Sequence, residues 1–243
     1  MGDPVSIQQV RQLLAERLPR SRTGFAVRAP AAVVPTGVRR LDLALGGGLP
    51  QGEITELVGA GAGAGSAQVI HAVLRRAAAD GRLVALIDGA DSLDVDALEV
   101  GELARLLWVR CRTVGEALAA ADLLLRDRNF PLLILDLQLN PAAEWRRVSG
   151  AVWPRFDRLR EQNRTTLLVV TPRPTVGGAA RRVQVASGRS APLGVGDAQR
   201  SPGEVLADLE FTVLREMSGR GGGEAAATSE LAAPVGERWA LAG

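Results

Sequence analysis

Residues 59–66 read Gly59-Ala60-Gly61-Ala62-Gly63-Ala64-Gly65-Ser66, and the segments on either side restrict what this run can be. Before it, Ile54-Thr55-Glu56-Leu57-Val58 is a short apolar strand. After it, Ser66 to Ala79 carries apolar side chains at 69, 70, 73, 74 and 77, the stripe of a helix. Strand, glycine-rich turn and helix is the context in which backbone N–H groups and a helix N-terminus wrap around phosphate. In such a loop a lysine reaches the terminal phosphates and a hydroxyl holds magnesium. Here Gly59, Gly61, Gly63 and the hydroxyl of Ser66 are present, but Gly65 stands in the lysine's place. All 29 basic residues of the chain are arginine. A coding bias toward arginine accounts for the absence of lysine, yet it would have left an arginine at 65. A charge-assisted hydrogen bond to phosphate is worth roughly 1.5–3 kcal/mol, so weak or absent binding of ATP and magnesium is expected. The same residues also read as nothing more than a permissive turn between strand and helix.

From Gly37 onward strand and helix alternate. Strands are predicted at 54–58, 83–87, 106–109, 132–135 and 166–170, with helices at 66–79, near 94–104, at 114–127 and at 150–162. Continuous apolar strands in such alternation predict an α/β fold with a mainly parallel sheet and helices on both faces. Arg181–Ala186 and Phe211–Leu214 read as later, antiparallel strands. Ile7, Val10, Leu13, Leu14 and Leu18 line one face of a short N-terminal helix, and Pro19 to Pro35 reads as a linker. Residues 218–236, rich in Gly, Ala and Glu, read as a disordered tail. The organisation expected is a helix and linker over 1–34, a core over 35–217 and a flexible tail over 218–243.

A chain of 243 residues with 47% apolar content can bury one substantial core. No apolar run approaches the roughly 18 residues of a membrane span, and Met1-Gly2-Asp3-Pro4 does not open a leader peptide, so a cytoplasmic protein without a membrane partner is expected. Cys111 is alone and His71 is the single histidine, which excludes a disulfide within the chain and most metal-site patterns. His71 falls on the helix after the glycine-rich run, where a surface or packing role is expected. The net charge of +2 conceals segregation: residues 1–40 carry +5, 41–145 carry −7, 146–220 carry +6 and 221–243 carry −2. Arginine suits phosphate through its planar fork, and Arg173, Arg181, Arg182, Arg189 and Arg200 lie among glycines in a stretch suited to single-stranded nucleic acid. The bland alternative is that scattered arginines solvate the surface; no tyrosine is present to supply a stacking platform.

The run from Pro35-Thr36-Gly37-Val38-Arg39-Arg40-Leu41-Asp42 through Gly46-Gly47-Gly48-Leu49-Pro50-Gln51-Gly52-Glu53-Ile54 resembles the segment that leads into the phosphate loop of RecA-type recombinases. The similarity continues through Ala85-Leu86-Ile87-Asp88-Gly89-Ala90-Asp91, Thr113-Val114-Gly115-Glu116-Ala117-Leu118 and Leu133-Ile134-Leu135-Asp136, covering about residues 35–215. The resemblance implies a RecA-like fold and places Asp136 where recombinases have the aspartate that helps to hold magnesium. Other positions depart from the family. Ala90 stands where the water-activating glutamate belongs, with Asp91 one residue along, and Thr171-Pro172 replaces the polar residue and glutamine that sense the terminal phosphate. A missing general base costs roughly 10²–10⁴ in rate. Gly65, Ala90 and Pro172 together imply an inactive ATPase relative with no catalytic residues of its own.

Leu107-Trp108-Val109-Arg110-Cys111 and Leu135-Asp136-Leu137-Gln138-Leu139-Asn140-Pro141 look most like ImuA-type proteins, RecA-like accessory factors of damage-induced mutagenesis in bacteria. That resemblance implies an adaptor in translesion synthesis, docking error-prone polymerase subunits or RecA, with DNA a further candidate. In RecA filaments an N-terminal helix packs on the neighbouring subunit, so Ile7, Val10 and Leu14 form the equivalent candidate contact; the alternative is that this helix folds back on its own domain. Two further readings remain: an ATPase of the same fold that uses Asp91 as a displaced base and an arginine from another chain, and a single-stranded DNA-binding module built on the arginines of 173–200.

Overall fold

The computed structural model describes residues 32–59, 63–188 and 201–216. The described chain begins with β1 (Val33–Val34), α1 (Arg39–Ala44), β2 (Leu49–Pro50) and β3 (Ile54–Gly59). It continues through α2 (Ser66–Ala79), β4 (Val84–Asp88), a 3-10 turn at Val95–Ala97, α3 (Val100–Leu103), β5 (Leu106–Arg110) and α4 (Val114–Arg126). Then come β6 (Leu132–Asp136), α5 (Ala142–Trp145), α6 (Val152–Asn163), β7 (Thr166–Thr171), β8 (Arg181–Ser187), α7 (Pro202–Ala207) and β9 (Leu209–Glu216).

Seven strands form one sheet in the order β5-β4-β6-β7-β3-β8-β9, parallel except for the terminal β9. The period-two alternation of the strands divides the core into two layers. Leu86, Ile134, Leu168 and Val170 face α2, whose stripe of Val69, Ile70, Val73, Leu74 and Ala77 covers them. Ala85, Ile87, Leu133, Leu135, Leu167 and Val169 face the opposite way, under α4 and α6. There Trp153 and Phe156 meet edge to face at 6.0 Å, a favoured geometry for aromatic pairs. This is the mainly parallel α/β fold with helices on both faces that the alternation of strand and helix predicts.

The order places β3 and β4 on opposite sides of β6 and β7, so the connection from β3 through α2 to β4 crosses two strands. In open α/β sheets a reversal of this kind opens a crevice at the carboxyl ends of the strands. The carboxyl ends of β3, β4 and β6 and the N-terminal end of α2 all meet there.

Three expectations are corrected. The strand at Arg181–Ser187 is antiparallel to β9 but parallel to β3, because the chain returns after β7 to add outside β3 before it reverses. Val33–Val34, read as linker, pairs antiparallel with Leu49–Pro50, and the compact unit starts at Val33. The helix expected over 94–104 is a 3-10 turn and a four-residue helix, with Glu99 and Glu102 forming a capping box between them. Trp108 lies on the edge strand β5 and is half-buried there, its indole N–H donating to Asp88. The N-terminal helix with Ile7, Val10 and Leu14, the tail over 218–243, and Gly61, Arg189 and Arg200 lie outside the described residues.

Candidate functional site

The segment before β3 is braced by its own motif residues. The Thr36 N–H and hydroxyl both donate to Asp42 Oδ1 at 2.8 Å, which fixes the entry to α1. Gly48, at φ +142°, passes so close to β1 that an added Cβ would lie 2.5 Å from the Val34 carbonyl oxygen. These contacts account for the Thr-Gly…Leu-Asp…Gly-Gly-Gly pattern as structural chemistry.

At the glycine-rich run, Gly63 and Gly65 have φ of +75° and +99°, and Gly65 caps α2 without a side chain. Ala64 stands where a phosphate loop has its second glycine, a departure additional to Gly65. A Cβ built on Gly65 would fall inside the van der Waals shell of Leu209 Cδ2, with Leu209 Cδ1 at 3.1 Å and Cγ at 3.3 Å. Leu209 opens β9, is 2% exposed and packs in the cluster that includes Val69, Val73, Val183 and Val185. Its carbonyl accepts from Arg40 Nη1 at 3.0 Å, and the Ala207 carbonyl accepts from the same nitrogen at 3.1 Å. The space beside residue 65 therefore belongs to the far end of the same chain.

Asp88 and Asp136 are direct register partners at the ends of β4 and β6. Asp88 is buried and saturated: it accepts from the N–H groups of Ser92 and Leu93 at 2.8 Å each and from the Trp108 indole, so it shapes the turn after β4. Asp136 keeps one backbone donor, the Gln138 N–H at 3.0 Å. Burial pushes its carboxyl up to about 6; the Gln138 hydrogen bond opposes the shift and the charge of Asp88 adds to it. Both aspartates line a small cavity of about 60 Å³ with Ala67, His71, Ser92 and Asp94. His71 lies on its wall, and burial lowers its pKa, with Asp94 acting in the opposite direction. Among the described residues no group of three His, Cys, Asp or Glu side chains is placed to hold a metal ion.

Two side-chain amides just beyond β6 hold the neighbouring strand ends. Gln138 Nε2 donates to the Gly59 carbonyl at 3.3 Å, and a Cβ on Gly59 would meet that side chain at 2.5 Å. Asn140 Nδ2 donates to the Gly89 carbonyl at 2.7 Å. Together they stitch the last residue of β3 and the turn after β4 to the segment that follows β6, so the strand ends around the cavity are tied to one another by side-chain amides.

Asp91 is exposed, adopts φ +54°, and is gripped by Arg110, whose Nη2 donates to Oδ2 at 2.7 Å. That hydrogen bond holds its carboxyl below the usual carboxylate range, which makes it a poor proton acceptor. Of the arginines assigned to nucleic acid, three lie among the described residues. Arg182 is paired with the wholly buried Glu56, and Arg181 with Glu216; Arg173 is exposed. Arg182 meets its carboxylate across the parallel ladder with β3 and Arg181 meets its own across the antiparallel ladder with β9, so both are sheet residues with acids in reach.

Among the described residues no helix is long and apolar enough to cross a membrane. Residues 22–149 match the model of the RecA N-terminal domain. Over 128 residues the chain is 41% identical to proteins named RecA from Mycobacterium sp. (strain KMS) and Rhodococcus jostii (strain RHA1), and 39% identical to one from Leifsonia xyli subsp. xyli. The match takes in 51% of this chain and 37% of the length of the first two relatives, 36% of the third.

Proposed function

The chain belongs to the RecA N-terminal domain family, and from that premise we propose that it is a noncatalytic RecA-like adaptor in DNA repair. Its finer role is that of the ImuA-type proteins it resembles: docking an error-prone polymerase complex, and RecA or DNA with it, during damage-induced translesion synthesis. The observation that carries the reading is the space beside residue 65, which Leu209 fills and in which no side chain reaches toward a phosphate. The chemistry around it agrees. Asp88 spends its carboxylate on the following turn, Asp91 spends its own on Arg110, and Ala90 has nothing to give as a base. These residues do not fit a triphosphate with its magnesium, so the fold serves as a scaffold and the phosphate loop is degenerate.

Capture of purified error-prone polymerase subunits and of RecA by the immobilised full chain tests this, with and without ATP and magnesium. Equal capture in the two conditions is expected. Capture that requires ATP, or association with none of these proteins, contradicts the proposal.

A further inference from the structure

We infer that the first residue of β9 is a built-in plug: Leu209 occupies the space that a side chain on residue 65 would cross to reach an anion at the N-terminal end of α2. This rests on the reading of the glycine-rich run as a former triphosphate loop, and adds what has replaced the ligand. The plug is a built feature. Leu209 is buried among Val69, Val73, Val183 and Val185, so it cannot swing away without opening a hole in the core layer over α2. Arg40, on the helix that precedes β3, latches it through the carbonyls of Ala207 and Leu209. α7 leads directly into it and is fixed by a capping box between Ser201 and Glu204. The backbone agrees with the side chain: φ of +99° at residue 65 suits glycine and strains any residue with a Cβ. Gly65 and Leu209 are therefore a matched pair: the absence of a side chain at 65 is what leaves room for the leucine. Restoring a charge at 65 by itself does not restore the site.

Thermal unfolding of the full chain, with and without millimolar ATP and magnesium, tests this in Gly65→Lys, Gly65→Ala, Leu209→Ala and Gly65→Ala/Leu209→Ala. With Leu209 intact, Gly65→Lys is expected to show no ATP-dependent rise in Tm. A clear rise there would overturn the plug while leaving the reading of the natural chain intact, whereas a rise in the unmutated chain would overturn that reading instead. If Gly65→Lys does not fold, the nucleotide-free series decides. Gly65→Ala lowers Tm by roughly 5 °C or more when Leu209 is present, and by clearly less in the Leu209→Ala background, where the backbone strain stays but the clash is gone. Equal drops in the two backgrounds would overturn the plug.

Discussion

Glu56 and Arg182 face each other across the β3–β8 ladder as an ion pair in which the glutamate is wholly withdrawn from water. A lone carboxylate at such a site would be prohibitively costly, and here both of its oxygens are hydrogen-bonded. Oε2 accepts from Arg182 Nε, while Oε1 accepts from the Thr171 hydroxyl at 2.9 Å and from the N–H groups of Thr175 and Val176 at 2.6 and 3.1 Å. Arg182 Nη2 also donates to the Val176 carbonyl at 2.8 Å. One buried acid thus anchors both β8 and the segment that joins it to β7.

Breaking this pair from one side is predicted to be costly. Arg182→Ala leaves the buried carboxylate without its counter-ion and should lower unfolding free energy by about 3–5 kcal/mol, read by urea denaturation. Arg182→Ala/Glu56→Gln, which removes the buried charge but keeps an acceptor for the three donors on Oε1, should recover part of that loss. A single-mutant cost below about 1 kcal/mol would mean that the pair behaves like an exposed one.

Gly48→Ala should be among the most disruptive single-methyl changes in the chain. Its Cβ would sit 2.5 Å from the Val34 oxygen, a backbone atom that cannot rotate away, and the residue holds φ +142°. A loss of about 2–4 kcal/mol is expected from overpacking combined with strain. Gly101→Ala, where an added Cβ meets nothing within 4 Å, is the control and should be near neutral.

Asp136 gives the protein a pH dependence of definite sign. Its carboxyl is raised from 3.8 to about 6 in the folded chain, so the fold favours the protonated form. Its contribution is complete below the unfolded value and is lost as pH rises through about 6. Asp136→Asn keeps an acceptor for the Gln138 N–H and removes the titration. The variant should gain about 1–2 kcal/mol over the natural chain at pH 7 and almost nothing at about pH 3, a shift discounted because the carboxyl keeps some contact with water. A difference between the two proteins that stays constant from about pH 3 to 7 would contradict the assignment.

The sequence carried most of the sheet because buried parallel strands write themselves as apolar runs. Ile54–Val58, Leu132–Leu135 and Thr166–Val170 all lie within strands, and the helix at Ser66–Ala79 has the bounds its stripe predicted. What stayed illegible depended on partners distant along the chain. The direction of β8 is set by β3, more than a hundred residues earlier, and no local pattern distinguishes its parallel side from its antiparallel one. Arg182 reads as a surface cation until Glu56 is placed opposite it. Gly65 was visible as a missing charge, but its cause was not, since Leu209 is an ordinary leucine in an ordinary strand until the fold brings it to the loop. Gln138 and Asn140 were present in a quoted motif, and their amides gained meaning once the carbonyls of Gly59 and Gly89 lay within reach.

Calorimetric titration of the unmutated full chain with a nonhydrolysable ATP analogue and magnesium addresses the central claim most directly. The account predicts no saturable heat at millimolar analogue, because a leucine fills the space beside Gly65 and the neighbouring carboxylates are committed elsewhere. A saturable isotherm with stoichiometry near one, abolished by Ser66→Ala or Asp136→Ala, would contradict it.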